Sequence, residues 1–479
     1  MAFINMKKTS NLARILLILA AGMLLLASCA TNTGYYDTLN MLVSNERYPE
    51  AASLAETSTK EYDPKTDSLL YYLDCGILKH YSGNYQDSNQ YFEKAKTLAT
   101  DYFTKSITAE ASTLLVNDTM RPYYGENFER SLINVFCALN YISMGNENEA
   151  LVEARQVDHF LTTLKTNYGY KDVYTEDAFA RYLMGMLYEN QGEINDAYIS
   201  YKQALVAYRK YESQYQTLTP ADLLTDVVRT GKKLGFNSDL SELQKSHSLN
   251  LDAKPYGNEG EVVFICYNGF APEKIDNFFE IAFTDGWLCV EAAQVQGKDE
   301  SEVAQARTIA RSIVSDEQIR LSFPKYVDLD YRIKNIAVSF EGNPAVSGYL
   351  SEDVGAIAKK GLQNRIGRIR TRTYARATLK YVLRRNISQK VQESNSELVG
   401  WLAKTTMKAV ANATEVADKR CWRSLPDKII VTRTVLPVGK QTVNLAFKDE
   451  QGNTVTTKEY KDIEIRKGKK TFITVRTAL

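Results

Sequence analysis

The 479-residue chain reads as an α+β multidomain protein, with an N-terminal helical-repeat solenoid followed by a mixed α/β domain that ends in an antiparallel β-sheet. Three observations predict this. The length exceeds what one hydrophobic core usually serves, so two or more domains are expected. Small and aromatic residues recur in the first half at the intervals of stacked helix pairs. Near residue 259 helical spacing gives way to short apolar runs bounded by turn residues. The divisions that follow are a leader at 1–28, repeats at 29–235, a polar linker at 236–258 and a C-terminal domain at 259–479.

The leader has a charged start in Lys7, Lys8 and Arg14, an apolar run from Ile15 to Leu26, and the close Leu26-Ala27-Ser28-Cys29. The apolar run is shorter than the ~20 residues that a membrane span needs. The segment resembles a bacterial lipoprotein signal, and that resemblance implies lipidation of Cys29. Several acyl chains on one residue anchor stably, because each buried CH₂ contributes about 0.8 kcal/mol and a single chain is marginal. By the same resemblance Ala30, where sorting to the inner membrane would place Asp, implies an anchor in the outer membrane, facing the periplasm. Three of the 59 basic residues lie in the leader, leaving 56 against 58 acidic, a balance that argues against a nucleic-acid binder. Beyond Cys29 the cysteines are Cys75, Cys137, Cys266, Cys289 and Cys421, an odd number. Cys75 and Cys137 hold equivalent repeat positions and read as small buried residues, and pairing of Cys266 with Cys289 stays open.

The repeats centre on Ala178 to Leu205, where Gly185, Tyr188, Gly192, Ala197, Tyr201 and Ala204 follow tetratricopeptide spacing. Gly185, Ala197 and Ala204 permit close helix crossing, and tyrosines fill the remaining space. Leu70 to Leu98 repeats the pattern through Gly76, Gly83, Phe92 and Ala95, and Asn134 to Phe160 through Ala138, Tyr141, Gly145, Ala150 and Ala154. Tyr35 to Thr57 is a weaker terminal copy. The glycine intervals exceed the 34-residue period, so Asp101 to Glu126 and Lys165 to Glu176 are insertions. A solenoid of this kind receives a peptide or partner helix on its concave side, and Tyr141, Tyr188 and Tyr201 are the candidate contacts.

In the C-terminal half, Val262 to Tyr267, Phe278 to Phe283, a run from Leu288, Gln318 to Phe323 and Asn335 to Phe340 read as strands, with a helix at Ser301 to Val314. A long helix is expected from Ser351 to about Gln392, its acids Glu352 and Asp353 at the positive end of the helix dipole. Between Val354 and Lys390 there is no acid. Arg365, Arg368, Arg372, Arg376, Lys380 and Arg384 recur there at steps of three and four, on one face. This stripe suits anionic lipid, acidic glycan or an acidic groove, or else a solvated or internally paired face. Asn395 to Asp418 reads as a further helix. Strands at Lys428 to Val435, Gln441 to Phe447, Val455 to Ile465 and Thr471 to Thr477 form the terminal sheet.

Glu129 to Leu161 and Ala413 to Ile429, the second carrying Ala417, Asp418, Arg420, Trp422, Leu425 and Pro426, resemble a family of uncharacterised bacterial tetratricopeptide lipoproteins with a C-terminal α/β domain. The resemblance implies an envelope location and a role beside other lipoproteins, including types similar to activators of peptidoglycan synthases. It supplies no activity. Arg420 and Trp422 read as a structural corner joining helix and sheet rather than a ligand site.

Catalytic signatures are missing from the sequence: His80, His159 and His247 are isolated, no HExxH or paired-cysteine metal motif exists, and no GxSxG occurs. Gly439-Lys440-Gln441-Thr442 fails as a phosphate loop because Thr434 and Gln441 stand where Gly and Ser or Thr are required. The expectation is a non-enzymatic, cofactor-free scaffold in outer-membrane or peptidoglycan assembly, tethered to the membrane by its lipid and binding an envelope protein or peptide. The alternatives are a glycan-binding or glycan-processing protein with its site in the C-terminal domain.

Overall fold

A computed structural model describes residues 33–110, 118–167, 174–247, 257–282, 284–285, 318–341, 343–392 and 416–479. Among the described residues ten α-helices come first. They are α1 (Thr33–Ser44), α2 (Tyr48–Thr57), α3 (Ser68–Tyr81), α4 (Tyr85–Glu110), α5 (Asn127–Ser143), α6 (Glu147–Asn167), α7 (Ala178–Gln191), α8 (Ile194–Tyr215), α9 (Ala221–Leu234) and α10 (Asn237–His247). They stack as five consecutive pairs. In the last four the turn after the first helix carries a glycine at positive φ, Gly83, Gly145, Gly192 and Gly235, the left-handed conformation that ends a helix without a Cβ penalty. The pairs close on small residues: a Cβ at Gly76 would lie 2.6 Å from the Phe92 ring, and one at Gly185 would overlap Tyr201.

The polar stretch expected as a linker after residue 235 is helical over Asn237–His247. Leu240 packs on Gly231 of α9, so these residues complete the fifth pair. The expected linker is therefore shortened, because Leu240 and Leu243 supply an apolar edge that polar composition masks.

Among the described residues ten strands and one long helix follow: β1 (Glu259–Asn268), β2 (Glu273–Ala282), β3 (Gln318–Val327), β4 (Asn335–Ser339), β5 (Val346–Ser347), β6 (Tyr349–Asp353), α11 (Val354–Gln392), β7 (Lys428–Pro437), β8 (Gly439–Lys448), β9 (Thr454–Ile465) and β10 (Lys470–Thr477). One sheet has the order β10-β1-β7-β6, a second β5-β4-β8-β9, and β2 pairs with β3 alone. The two four-stranded sheets form a sandwich whose core holds Val262, Phe264 and Cys266 against Val338, Leu445 and Phe447. The alternate residues of β1, Val263, Ile265 and Tyr267, join the core of the repeats. Burial on both faces explains why β1 reads as a continuous apolar run rather than an alternating one.

Three expectations change. The four last strands do not form one sheet: β7 and β10 flank β1, with β10 parallel to it, whereas β8 and β9 lie in the second sheet. Ser351 and Glu352 belong to β6, and α11 starts at Val354 with Asp353 as its cap, its carboxylate accepting from the Ala356 amide at 2.8 Å. Ala417 and Asp418 are not helical. The readings from Leu288, at Ser301 to Val314 and over most of Asn395 to Asp418 lie outside the described residues, as do the leader, Cys29 and Cys289. Cys75, Cys137, Cys266 and Cys421 are buried free thiols. Among the described residues no helix is long and apolar enough to cross a membrane.

Candidate binding cleft at the domain seam

The first helices of the pairs, α3, α5, α7 and α9, turn one face toward the C-terminal domain, and that face is filled. Trp422 is buried with its ring edge-to-face on Phe92 at 5.9 Å and Phe136 at 6.1 Å. Its backbone amide donates to Glu129 at 2.7 Å. Tyr267 of β1 packs beside Phe136 and His80. Ser424 donates to Asp74, which also accepts from Tyr36 and Tyr62 at 2.8 Å each. Farther along, Arg433 of β7 donates to Asp226 at 2.7 Å and to Glu261 at 2.7 Å. Arg229 and Lys470 both reach Glu189 at 2.6 Å. These three acids and three bases neutralise one another. Burial alone would raise the Asp226 carboxyl, but Arg433 and Arg229 hold it well below the usual range.

The expected partner-binding tyrosines do not share a surface. Tyr201 is fully buried against Gly185, and its hydroxyl donates to Glu189 at 2.8 Å, so it belongs to the support of the seam. Tyr188 is half-buried, accepts from Arg155 at 2.7 Å, and lines a shallow groove with Met184, Ile199 and Ser200. Tyr141 is half-buried against the repeat core. Packing competes with display here: the same spacing that marks a repeat places its rings inside.

The arginine stripe has a clearer place. Arg365, Arg368, Arg372 and Arg376 line a cleft of about 300 Å³ between the repeats and the C-terminal domain. The side chains of Lys380 and Arg384 lie outside the described residues. The opposite contributions are Tyr102 and Lys105 of α4 and the segment 118–126, which is the end of the first insertion. Lys274 of β2, Pro324 of β3 and residues 416–418 with Arg420 complete the lining. Among the described residues of the lining, eight bases, Lys105, Arg121, Lys274, Arg365, Arg368, Arg372, Arg376 and Arg420, meet three acids, Asp118, Glu126 and Asp418.

The acids are held by deep cations. Glu126 is the N-cap of α5, and Glu129 reciprocates from the third helical position by accepting the Glu126 amide at 2.8 Å. The Glu126 carboxylate pairs with Lys274 at 2.8 Å and with Arg365. Burial works to raise its pKa, yet Arg365 and Lys274 keep it down at about 2. Arg420 donates to Asp418 at 2.8 Å and to the carbonyls of Thr66, Arg121 and Asp118 at 3.1, 2.8 and 2.9 Å. Arg376 lies 3.6 Å from Asp118. Arg420 therefore clasps the insertion to the C-terminal domain, and with Trp422 it forms a corner between domains rather than between helix and sheet. Lys105, Arg121 and Lys274 come from three separate segments with no local pattern to flag them. Arg420 was visible as a conspicuous motif residue.

A second cluster, Glu93, Cys137 and Glu153, has metal-like proximity. Lys96 already bridges it, 2.7 Å from Glu93 and 2.6 Å from Glu153. Burial raises the Cys137 thiol, which disfavours the thiolate a metal needs, so these residues fit a lysine better than an ion. In the terminal strands, Phe447 is buried and Tyr460 and Phe472 are half-buried.

No protein-family model matches the chain, and no curated protein matches it. Solved structures that it resembles include a kinesin light chain-like protein of Podosopora anserina with nearly identical TPR-like repeats, at 14% identity and TM-score 0.28 over 45% of this chain and 92% of that one. MamA aligns at 12% identity and TM-score 0.27 over 43% and 89%. BtubC from P. vanneervenii aligns at 16% identity and TM-score 0.29 over 43% and 74%. The tetratricopeptide-like architecture of residues 33–247 stands on its own five helix pairs, and the chain as a whole is an α+β multidomain protein in which those repeats precede a strand-rich domain.

Proposed function

We propose that the protein is a non-enzymatic scaffold that captures an acidic segment of a protein partner in the cleft between its repeats and its C-terminal domain. The observation that supports this reading is the excess, among the described residues, of eight bases over three acids in one concavity of an otherwise nearly neutral chain. Steering and complementarity follow from such an excess, because low-dielectric walls focus the field of clustered like charges. The repeat face built from first helices is already covered by the chain's own sheet, so a partner meets the seam instead. In this reading lipid on Cys29 holds the scaffold at the outer membrane, facing the periplasm, where the partner is an envelope protein.

Site-specific photocrosslinking in living cells tests it. A photoreactive phenylalanine analogue at Tyr124, in the cleft, should trap a discrete envelope protein with an acid-rich stretch, while the same analogue at Tyr188 should not. Trapping from Tyr188 alone would refute the assignment. Labelled palmitate incorporated by the natural chain but not by Cys29→Ala tests the anchor.

A further inference from the structure

Residues 416–422 carry neither helix nor strand, and a turn follows at 423–425. This irregular stretch crosses the second and third helix pairs, and Arg420, Trp422 and Ser424, at alternate positions, enter the repeats. The Trp422 amide donates to Glu129 of α5 at 2.7 Å, and the Tyr81 hydroxyl of α3 donates to the Ser424 carbonyl at 3.2 Å. Side chains of the repeats thus hold main-chain groups on both sides of the indole. Ser424 Oγ donates to Asp74 of α3, and the Arg420 guanidinium reaches three carbonyls on the repeat side. Arg423 lies over the Tyr36 ring at 4.4 Å while pairing with Glu273 of β2.

The receiving groups are placed by the repeats themselves. Glu129 also accepts from the Tyr123 hydroxyl at 2.5 Å and from the Glu126 amide at 2.8 Å, and Asp74 accepts from Tyr36 and Tyr62. All four donors belong to the helical half. Acceptors positioned in this way suit a binding groove, because their ordering cost is met before a ligand arrives. The indole nitrogen has no hydrogen-bond partner among the described residues, so the seat beside Phe92 and Phe136 recognises an aromatic ring by shape.

We infer that the second and third helix pairs form a peptide-binding groove, filled in this chain by its own residues 420–424. Its ligand class is an irregular polypeptide segment with an arginine, an aromatic residue and a hydroxyl residue at alternate positions. A partner segment of that pattern gains the groove by displacing the corner. Tethering gives the internal segment an effective concentration of about the millimolar range, which a free peptide has to exceed. The groove takes a different ligand from the cleft: residues 417–428 carry four bases and two acids, and that excess keeps such a peptide off a basic lining.

The test is fluorescence anisotropy on the full chain in detergent with a labelled peptide of residues 417–428 carrying Cys421→Ser. The natural chain should bind it only weakly, since the groove is occupied. The triple variant Arg420→Gly, Trp422→Gly, Ser424→Gly frees the groove of side chains and should bind one equivalent at least tenfold tighter. The same peptide with Trp422→Ala should bind this variant at least tenfold more weakly, and with Ser424→Ala about threefold more weakly. Should the triple variant lose its fold, recovery of helical circular dichroism with the Trp-containing peptide, and not with its Trp422→Ala form, supports the groove equally. Absence of both binding and recovery makes the corner part of the fold's core and overturns the inference. Equal binding by the natural chain overturns internal occupancy. Equal recovery or competition by 3-methylindole alone overturns a polypeptide ligand and leaves an apolar cavity. Trapping from Tyr124, which tests the cleft, is independent of every one of these results.

Discussion

Replacing Arg433 by methionine should detach the sheet from the repeats. Its guanidinium donates to Glu261 at 2.8 and 2.7 Å, to Asp226 at 2.7 and 3.1 Å, and to the Tyr182 hydroxyl. Asp226 is 0% exposed and Arg433 is 5% exposed. In the natural chain Glu189, Asp226 and Glu261 are balanced by Arg229, Arg433 and Lys470. In Arg433→Met three carboxylates face two cations in a site that water does not reach, and breaking such a pair costs about 3–5 kcal/mol. Adding Asp226→Asn restores the balance, and the double variant should recover about 2 kcal/mol of that loss. Amide hydrogen exchange on β1 and β7 reads the effect locally, where a single unfolding free energy is poorly defined for a chain of two domains. Protection should fall by about two to four orders of magnitude in the single variant. High salt should not reproduce the loss, because buried pairs are weakly screened. A change below about 1 kcal/mol, or a double variant less protected than the single, would refute the uncompensated-charge argument.

Three further outcomes follow from buried groups. His80 is fully enclosed among Tyr81, Tyr85, Phe136 and Tyr267 and its Nδ1 sits 2.6 Å from Asn140 Oδ1, whose amide nitrogen donates to Ser88 and Asn89. Burial lowers its pKa to about 4, so the unfolded chain binds a proton first, and stability should fall by about 3 kcal/mol between pH 6.5 and 4. His80→Gln should flatten that slope in pH-dependent denaturation, and an unaltered slope would exclude His80 as its source. Glu352 is buried with one carboxylate oxygen lacking a hydrogen-bond partner among the described residues, and desolvation, with Asp177 nearby, pushes its pKa well above the usual range. The unfolded chain therefore gains by ionising above about pH 4.5, so Glu352→Gln should raise the melting temperature at pH 7 and bring no gain at pH 4. Gly185→Ala would drive a methyl into the Tyr201 ring, and should cost about 1–3 kcal/mol, visible as a lower denaturation midpoint at unchanged slope.

How far the residues alone reach differs between the halves. The repeat pairs were legible because Gly83, Gly145 and Gly192 and the buried alanines Ala95, Ala150, Ala197 and Ala204 report local geometry, a turn or a close crossing. The α11 stripe was equally legible, since helical periodicity puts Arg365, Arg368, Arg372 and Arg376 on one side. The start of α11 was read too early because Ser351 and Glu352 suit a helix start as well as a strand, and pairing of β6 with β7 decided it. The helix at Asn237–His247 was missed because polar composition outweighed two leucines.

Local chemistry along the chain thus determined the α+β order, the repeats, eight of the ten described strands and the basic helix face. Tertiary structure decided which of these surfaces remain open. It covered the first-helix face of the repeats with β1, β7 and β10, drew Tyr201 into the core, and set Arg368 and Arg372 beside Lys105, Arg121 and Lys274. The physical reason is that helix and strand periods describe what lies within one turn or one pleat, whereas β1 pairing with β10 joins residues some two hundred positions apart, and a cleft of summed charge exists only once such contacts have formed.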